Sequence, residues 1–175
     1  MRPSRRRPVV RIRKFEISDL DRILAIELAS FGEDAWDEKL FRAFYRKCPD
    51  LFLVATIRRR VAGYIITCAG SRNAELASIA VDPREQGHGV GQAMLNHTLQ
   101  ELRTLRVKAW CLMVSTENES AIRFYEKYGF ARQKIVKRYY GPGRNAWRMR
   151  RLTATAADSE TTPATTKSRS ASTAR

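Results

Sequence analysis

The chain has 175 residues, 43% of them apolar, enough to bury one core with short terminal additions. Its three cysteines are odd in number and lack metal-ligand spacing, and no apolar run approaches the ~18 residues of a membrane span, so reduced, mostly buried thiols in a cytoplasmic protein without metal are expected. A formal net charge of +15 favours polyanionic surroundings such as RNA or the ribosome and disfavours polycationic substrates.

Residues 1–8 form a basic arm that leads into no long apolar segment and does not read as a secretory signal. "VVRIRKF" reads as a first strand. Ser18 is placed to cap a helix whose apolar positions Leu20, Ile23, Leu24 and Ile26 to Leu28 recur at helical spacing. A loop containing Gly32 precedes a second helix from about Asp37. "LFLVATI" and "VAGYIITCAG" predict a hairpin across an arginine turn, and "AELASIAV" predicts a fourth strand. A glycine-rich loop then opens a long helix that runs to about Leu105, and "AWCLMV" is the fifth strand. A short helix from about Asn118 to Tyr128 ends at Gly129. "FARQKIVKRYY" and "AWRMRRL" close the domain as a second hairpin around "GPGR". From Thr153 the chain is a Thr/Ala/Ser-rich tail, 153–175, with no apolar periodicity, so it is expected to be disordered.

The order is that of a mixed α/β sheet, and its most distinctive stretch is "VDPREQGHGVGQAMLNH", with Gly87, Gly89 and Gly91 between a strand and a helix. Such a turn suits an anion, because a helix N-terminus offers unpaired N–H groups and partial positive charge. A dinucleotide-binding loop would need a third glycine where Gln92 stands, and would follow the first strand. A P-loop would need a lysine that is absent. A tight turn without a ligand remains open on these grounds.

The run Gln86-Gly87-His88-Gly89-Val90-Gly91 after "SIAVDP" resembles the acetyl-coenzyme A motif of the GNAT acetyltransferases, and "STENESAIRFYEKYGF" is similar to that family's Asn, helix, Tyr, Gly-Phe signature. "IELASFGEDAWDEKLF" and "KRYYGPGRNAWRMRRL" resemble the corresponding stretches of the protein N-terminal branch, which contains the bacterial ribosomal-protein alanine enzyme and the archaeal and eukaryotic amino-terminal ones. The resemblance covers residues 9–152. It implies an α/β fold with a mixed, mostly antiparallel sheet, splayed between the fourth and fifth strands and flanked by about four helices.

It further implies that Gln86, Gly87, His88, Gly89, Val90, Gly91 and Gln92 surround the pyrophosphate of coenzyme A. The backbone of Ile79, Ala80 and Val81 would pair with the pantetheine, and Asn118 would bond that arm. Read without the resemblance, Asn118 is a plain N-cap and His97 a helix-face residue. A backbone N–H near Val81 would receive the oxyanion, and Tyr125 would protonate the leaving sulfur. Tyr125 also reads as a core aromatic, and Tyr128 is one helical turn away.

Where the bacterial relatives of that branch carry a glutamate on the fifth strand, this chain has Met113, which accepts no proton. Two carboxylates are candidates to replace it. Glu33 matches a loop glutamate of the amino-terminal enzymes, and Glu75 opens the fourth strand, by period two on the face of Ala77, Ile79 and Val81. Both also read as solvated charges. An α-amino group of pKa about 8 needs less help than a lysine at about 10.4, a difference of roughly 3 kcal/mol, so a site short of bases favours a protein N-terminus. Trp36, Tyr139 and Tyr140 would line its slot. A lysine or small-molecule amine acetyltransferase is the alternative, followed by a noncatalytic coenzyme A- or RNA-binding module. The basic patches are a candidate contact for RNA or the ribosome, and no membrane partner is expected.

Overall fold

Residues 8–154 are described by the computed structural model. Strand β1 (Val10–Lys14) leads into α1 (Leu20–Phe31) and α2 (Glu38–Lys47), then β2 (Phe52–Ile57), β3 (Arg60–Ala69) and β4 (Asn73–Val81). Helix α3 (Val90–Thr104), β5 (Ala109–Ser115), α4 (Glu119–Lys127), β6 (Ala131–Val136) and β7 (Ala146–Leu152) complete the order. The strands form one sheet in the order β1-β2-β3-β4-β5-β7-β6, antiparallel except where β4 meets β5.

Both faces of the sheet are covered, which is why every residue of β2 is buried. Phe52, Val54, Tyr64 and Ile66 pack with Phe15, Ile23, Ile26 and Phe41 under α1 and α2. Leu53, Ala55, Ile65, Leu76, Trp110, Leu112 and Met149 pack under α3 and α4. The β2–β3 hairpin turns through Arg58 and Arg59, both left-handed at φ 48° and 67°. Asp37 caps α2 by accepting the Leu40 N–H at 2.8 Å. Gly129, at φ 81°, follows α4 as expected of a residue just past a helix end.

Three expectations need correction. Ser18 does not cap α1, which is preceded by a 3-10 turn at Ile17–Asp19. Asp19 governs that corner instead, because its carboxylate accepts the Glu16 N–H at 2.9 Å and a two-pronged ion pair from Arg13 at 2.7 Å, more than one hydroxyl can hold. Thr153 does not belong to the tail: it is buried, its N–H donates to Lys108 O at 3.2 Å, and its carbonyl accepts from Arg103 at 2.7 Å. Residues 155–175 and 1–7 lie outside the described residues.

The third correction is Cys48–Cys68, a disulfide where reduced thiols were expected; Cys111 alone is free, and it is buried. An odd count says nothing about which two cysteines the fold juxtaposes. Here the end of α2 descends onto the end of β3, bringing the two Cα atoms to 5.1 Å. Closing a 20-residue separation restricts the unfolded chain by about 3 kcal/mol on loop entropy. Reduction, or Cys48→Ser, should therefore lower the melting temperature by roughly 6–12 °C, as followed by calorimetry with and without reductant.

Candidate functional site

Strands β4 and β5 pair from Asn73 with Ala109 as far as Leu76 with Leu112, and there the ladder stops although both strands continue. The break coincides with a bulge: Thr67 faces Leu76 and Ile66 faces Ser78, so Ala77 is the extra residue. The sheet is thus splayed between its fourth and fifth strands. The bulge also corrects the face assigned to Glu75. Ala74 and Leu76 join the core under α3 and α4, which puts Glu75 on the opposite face, and past the bulge Ile79 and Val81 return to the α3 side. Glu75 shares its face with Ser78 and Ala80.

The open edge of β4 has a defined polarity. Asp82 N–H donates to Ala62 O at 2.8 Å, which makes Val81 and Gly63 a non-hydrogen-bonded pair. By alternation Ile79 and Val81 direct their backbone groups into the opening, while Ala80 spends its own on Tyr64 of β3. Of Ile79, Ala80 and Val81, the first and last thus turn backbone groups toward the opening and Ala80 does not. The Gln86 side-chain amide donates to Val81 O at 3.4 Å from the loop beyond.

Two contacts fix that loop. Arg22 of α1 pairs with Asp82, and Asp82 accepts the Arg84 N–H at 3.0 Å. Burial works to raise the Asp82 carboxyl, but these donors outweigh it and hold it below the usual carboxylate range. Gly87 and Gly89 are left-handed at φ 78° and 82°, and a side chain on either would enter open space. Gly89 caps α3 and its carbonyl takes the Ala93 N–H, so the N–H groups of Val90, Gly91 and Gln92 have no partner within the helix. Val90 buries its side chain and offers only its backbone. Gly91 lets α3 begin against α4, where a side chain would meet Phe124 at 3.2 Å. His88 is exposed beside Glu85, 3.4 Å away, and His97 lies on the outer face of α3 near Glu101. Asn118 is the N-cap of α4, accepting the Ala121 N–H at 3.0 Å.

Tyrosines ring the opening. Tyr125 stands on the buried face of α4, its ring 5.8 Å from Phe130, and burial, then the neighbouring Tyr140, push its phenol well above the ordinary range. Tyr140 donates to the Met113 carbonyl at 3.3 Å and stacks edge-on with Tyr139 at 4.8 Å. Burial pushes the Tyr140 phenol up to about 12. Tyr139 is raised first by burial and then by Glu75, so the β6–β7 hairpin and the start of β4 meet here. Met113 alternates away from Leu112 and Val114, which face the α3 side, and presents its thioether to the tyrosine side.

The loop after α1 forms the opposite wall. Glu33 is exposed in a 3-10 turn at Gly32–Asp34. Its neighbour Asp34 takes two hydrogen bonds from Arg144 of the β6–β7 hairpin, at 3.0 and 2.6 Å, and the guanidinium keeps the Asp34 carboxyl below its usual range. That ion pair bridges the two walls. Trp36 stacks on Phe44 at 4.8 Å, so its ring supports the loop from α2.

Three residues were not anticipated. Glu27 is 1% exposed, accepts the Trp36 N–H at 2.9 Å, and accepts the hydroxyl of fully buried Tyr64. Tyr64 Oη in turn lies 2.9 Å from Ser78 Oγ on β4. The available signal was position: Glu27 falls on the Leu20, Ile23 stripe that α1 buries.

An unpaired strand edge, free helical N–H groups and a ring of phenols suit a thin polar ligand with an anionic end. Among the described residues no group of His, Cys, Asp or Glu side chains converges as a metal site, and no helix is long and apolar enough to cross a membrane. Residues 20–130 match the sequence profile of the Acetyltransferase (GNAT) family. The chain is 37% identical over 105 residues to the [Ribosomal protein bS18]-alanine N-acetyltransferase of Salmonella typhimurium, covering 60% of this chain and 70% of that protein. It is 27% identical over 159 residues to an N-alpha-acetyltransferase of Sulfolobus acidocaldarius, covering 83% and 94%. The crystal structure of Ard1 from Thermoplasma volcanium superposes with a TM-score of 0.79 at 31% identity, over 83% of this chain and 99% of that one. With that match added to the splayed sheet and its glycine loop, the chain belongs to the GNAT acetyltransferase family.

Proposed function

We propose that this acetyltransferase moves the acetyl group of acetyl-coenzyme A to the N-terminal α-amino group of a protein. The observation that carries the reading is the Arg144–Asp34 ion pair, which ties the tyrosine hairpin to the loop after α1; in this reading the entrance between them takes an extended chain end. Similarity to a ribosomal-protein alanine acetyltransferase and to an N-alpha-acetyltransferase supports it.

The residues present fit the acetyl donor. Ile79 offers its N–H and carbonyl and Val81 its N–H to the opening, groups of the kind that pantetheine amides require, and Asn118 follows the end of β5. The free N–H groups of Val90, Gly91 and Gln92, with the open space over Gly87 and Gly89, suit a pyrophosphate beside Gln86 and His88. In this reading the Val81 N–H stabilises the oxyanion, and Tyr125, which keeps its proton at every working pH, gives it to the departing sulfur. Glu33 and Glu75 meet the incoming ammonium at the mouth, and Tyr139, Tyr140 and Trp36 shape the slot. The groove lined by Arg11, Arg13, Arg58 and Arg59 at the β1 edge is the described surface we assign to RNA or ribosome contact.

One observation favours the second reading, a lysine or small-amine acceptor: Glu75 lies beside Tyr139 at the β4 side of the mouth, where a lysine side chain would arrive. Peptides with free and blocked N-termini, with and without lysine, separate the two. Turnover should require the free N-terminus, and Glu33→Gln should lower kcat/KM most below pH 8, where the α-amine is protonated, with Glu75→Gln mild. Turnover of blocked lysine peptides, with Glu75→Gln the damaging change, would establish the lysine reading instead. Tyr125→Phe keeps the ring and removes the proton, so kcat should fall about 10- to 1000-fold with acetyl-coenzyme A affinity unchanged in calorimetry. Asp34→Asn unties the slot walls and should raise KM for the peptide several-fold while kcat and the melting temperature hold, because an exposed ion pair adds little to global stability.

A further inference from the structure

Glu27 is a buried carboxylate that no basic side chain among the described residues accompanies. Its hydrogen bonds come from the Trp36 N–H and the Tyr64 hydroxyl. Tyr64 has a single proton, and it points to Glu27. The 2.9 Å contact between Tyr64 Oη and Ser78 Oγ must then be made by the serine proton, which leaves Ser78 Oγ with lone pairs only to offer. Ser78 is half-buried on β4, directly after the bulge and directly before Ile79, where the strand edge opens. Two hydroxyls therefore point inward in series from the opening to one carboxylate, each bond polarising the next, so Ser78 Oγ is a stronger acceptor than an isolated hydroxyl.

We propose that Ser78, Tyr64 and Glu27 form the route by which the attacking amine loses its proton, in place of the carboxylate that Met113 denies to β5. The ammonium gives one proton to Ser78 Oγ, Ser78 gives its own to Tyr64 Oη, and Tyr64 gives its own to Glu27, so both hydroxyls are restored and Glu27 becomes the neutral acid. The freed lone pair of the nitrogen then bonds to the acetyl carbon. The C–S bond breaks as the sulfur takes the proton of Tyr125, and Tyr125 regains one from the nitrogen, which sheds its second proton as the amide forms. After the products leave, the proton on Glu27 returns outward to water along the same two hydroxyls. Burial raises the Glu27 carboxyl above its ordinary range despite its two donors, which suits an acceptor that must hold a proton briefly. The other titratable group facing the route is Tyr125 from α4; α2 presents Phe41 and the loop presents Trp36, and neither titrates. Glu33 and Glu75 at the mouth then orient the ammonium before it reaches Ser78.

The inference rests on acetyl transfer to an amine and holds for an α-amine or a lysine alike. Its test uses the full chain at saturating acetyl-coenzyme A, with the amine peptide that the parent turns over best. Ser78→Ala and Tyr64→Phe should each lower kcat/KM for the amine about 10- to 100-fold at pH 7, with the loss shrinking as pH rises through the acceptor's own pKa. The double variant should be no worse than Tyr64→Phe, since both break one route. In the unliganded protein, a carbon-13 titration of the Glu27 carboxyl should move on Ser78→Ala, although Ser78 does not touch it. A merely structural network predicts a lower melting temperature and a pH–rate profile parallel to the parent's. Parallel profiles, additive losses, or a Glu27 titration indifferent to Ser78 would each overturn the route. If Tyr64→Phe fails to fold, Ser78→Ala at its half-buried site decides alone. Turnover by the parent with unmoved variants overturns the route only, whereas a parent inert toward every amine overturns the acetyl-transfer reading and the route with it.

Discussion

The incomplete ladder between β4 and β5 is the constraint on which the rest of the site depends. A parallel pair in the middle of a covered sheet would ordinarily satisfy its backbone along its whole length, and here it does so for four residue pairs and then stops. The bulge at Ala77 turns the end of β4, while β5 stays with β7 through Ser115. What remains is a polar strip inside an otherwise apolar sheet. Each such group left unbonded in a dry setting costs about 1–3 kcal/mol, so a ligand able to complete the ladder gains affinity from groups the fold has left without partners. The glycine loop follows from the same departure, because β4 ends at the opening and α3 begins beside it.

Around that opening five acidic groups have four different fates, set by what surrounds each. Asp82 is held ionised by Arg22 and a backbone N–H, and it locks the start of the loop. Asp34 is spent on Arg144. Glu33 and Glu75 stay at the surface. Glu27 is buried with hydroxyl and amide donors and no cation, the arrangement least favourable to a permanent charge.

The order of elements was legible because local rules and tertiary packing agree over most of the chain. The glycine loop, the start of the second helix at about Asp37 and the Gly129 stop are short-range signals, and the structure realises them at those residues. Three features were not legible, each for a long-range reason. The disulfide depends on α2 ending over β3. The Ser18 cap failed because Arg13, from the preceding strand, recruits Asp19. The face of Glu75 was misread because a bulge breaks the period of two, and neither Ala77 nor its neighbours advertise one by composition. Glu27 was overlooked for a related reason: a carboxylate on an apolar stripe looks like an error in the pattern until Tyr64, 37 residues away, supplies its donor.

The bridge between Asp34 and Arg144 joins two walls through side chains that both lie in solvent. Such a contact is weakened by dissolved salt, so the tie between the β6–β7 hairpin and the loop after α1 loosens as ionic strength rises. Its two ends also carry opposite charges. An acidic group arriving there can displace Asp34 from Arg144, and a basic one can displace Arg144 from Asp34, so the pair by itself excludes neither sign.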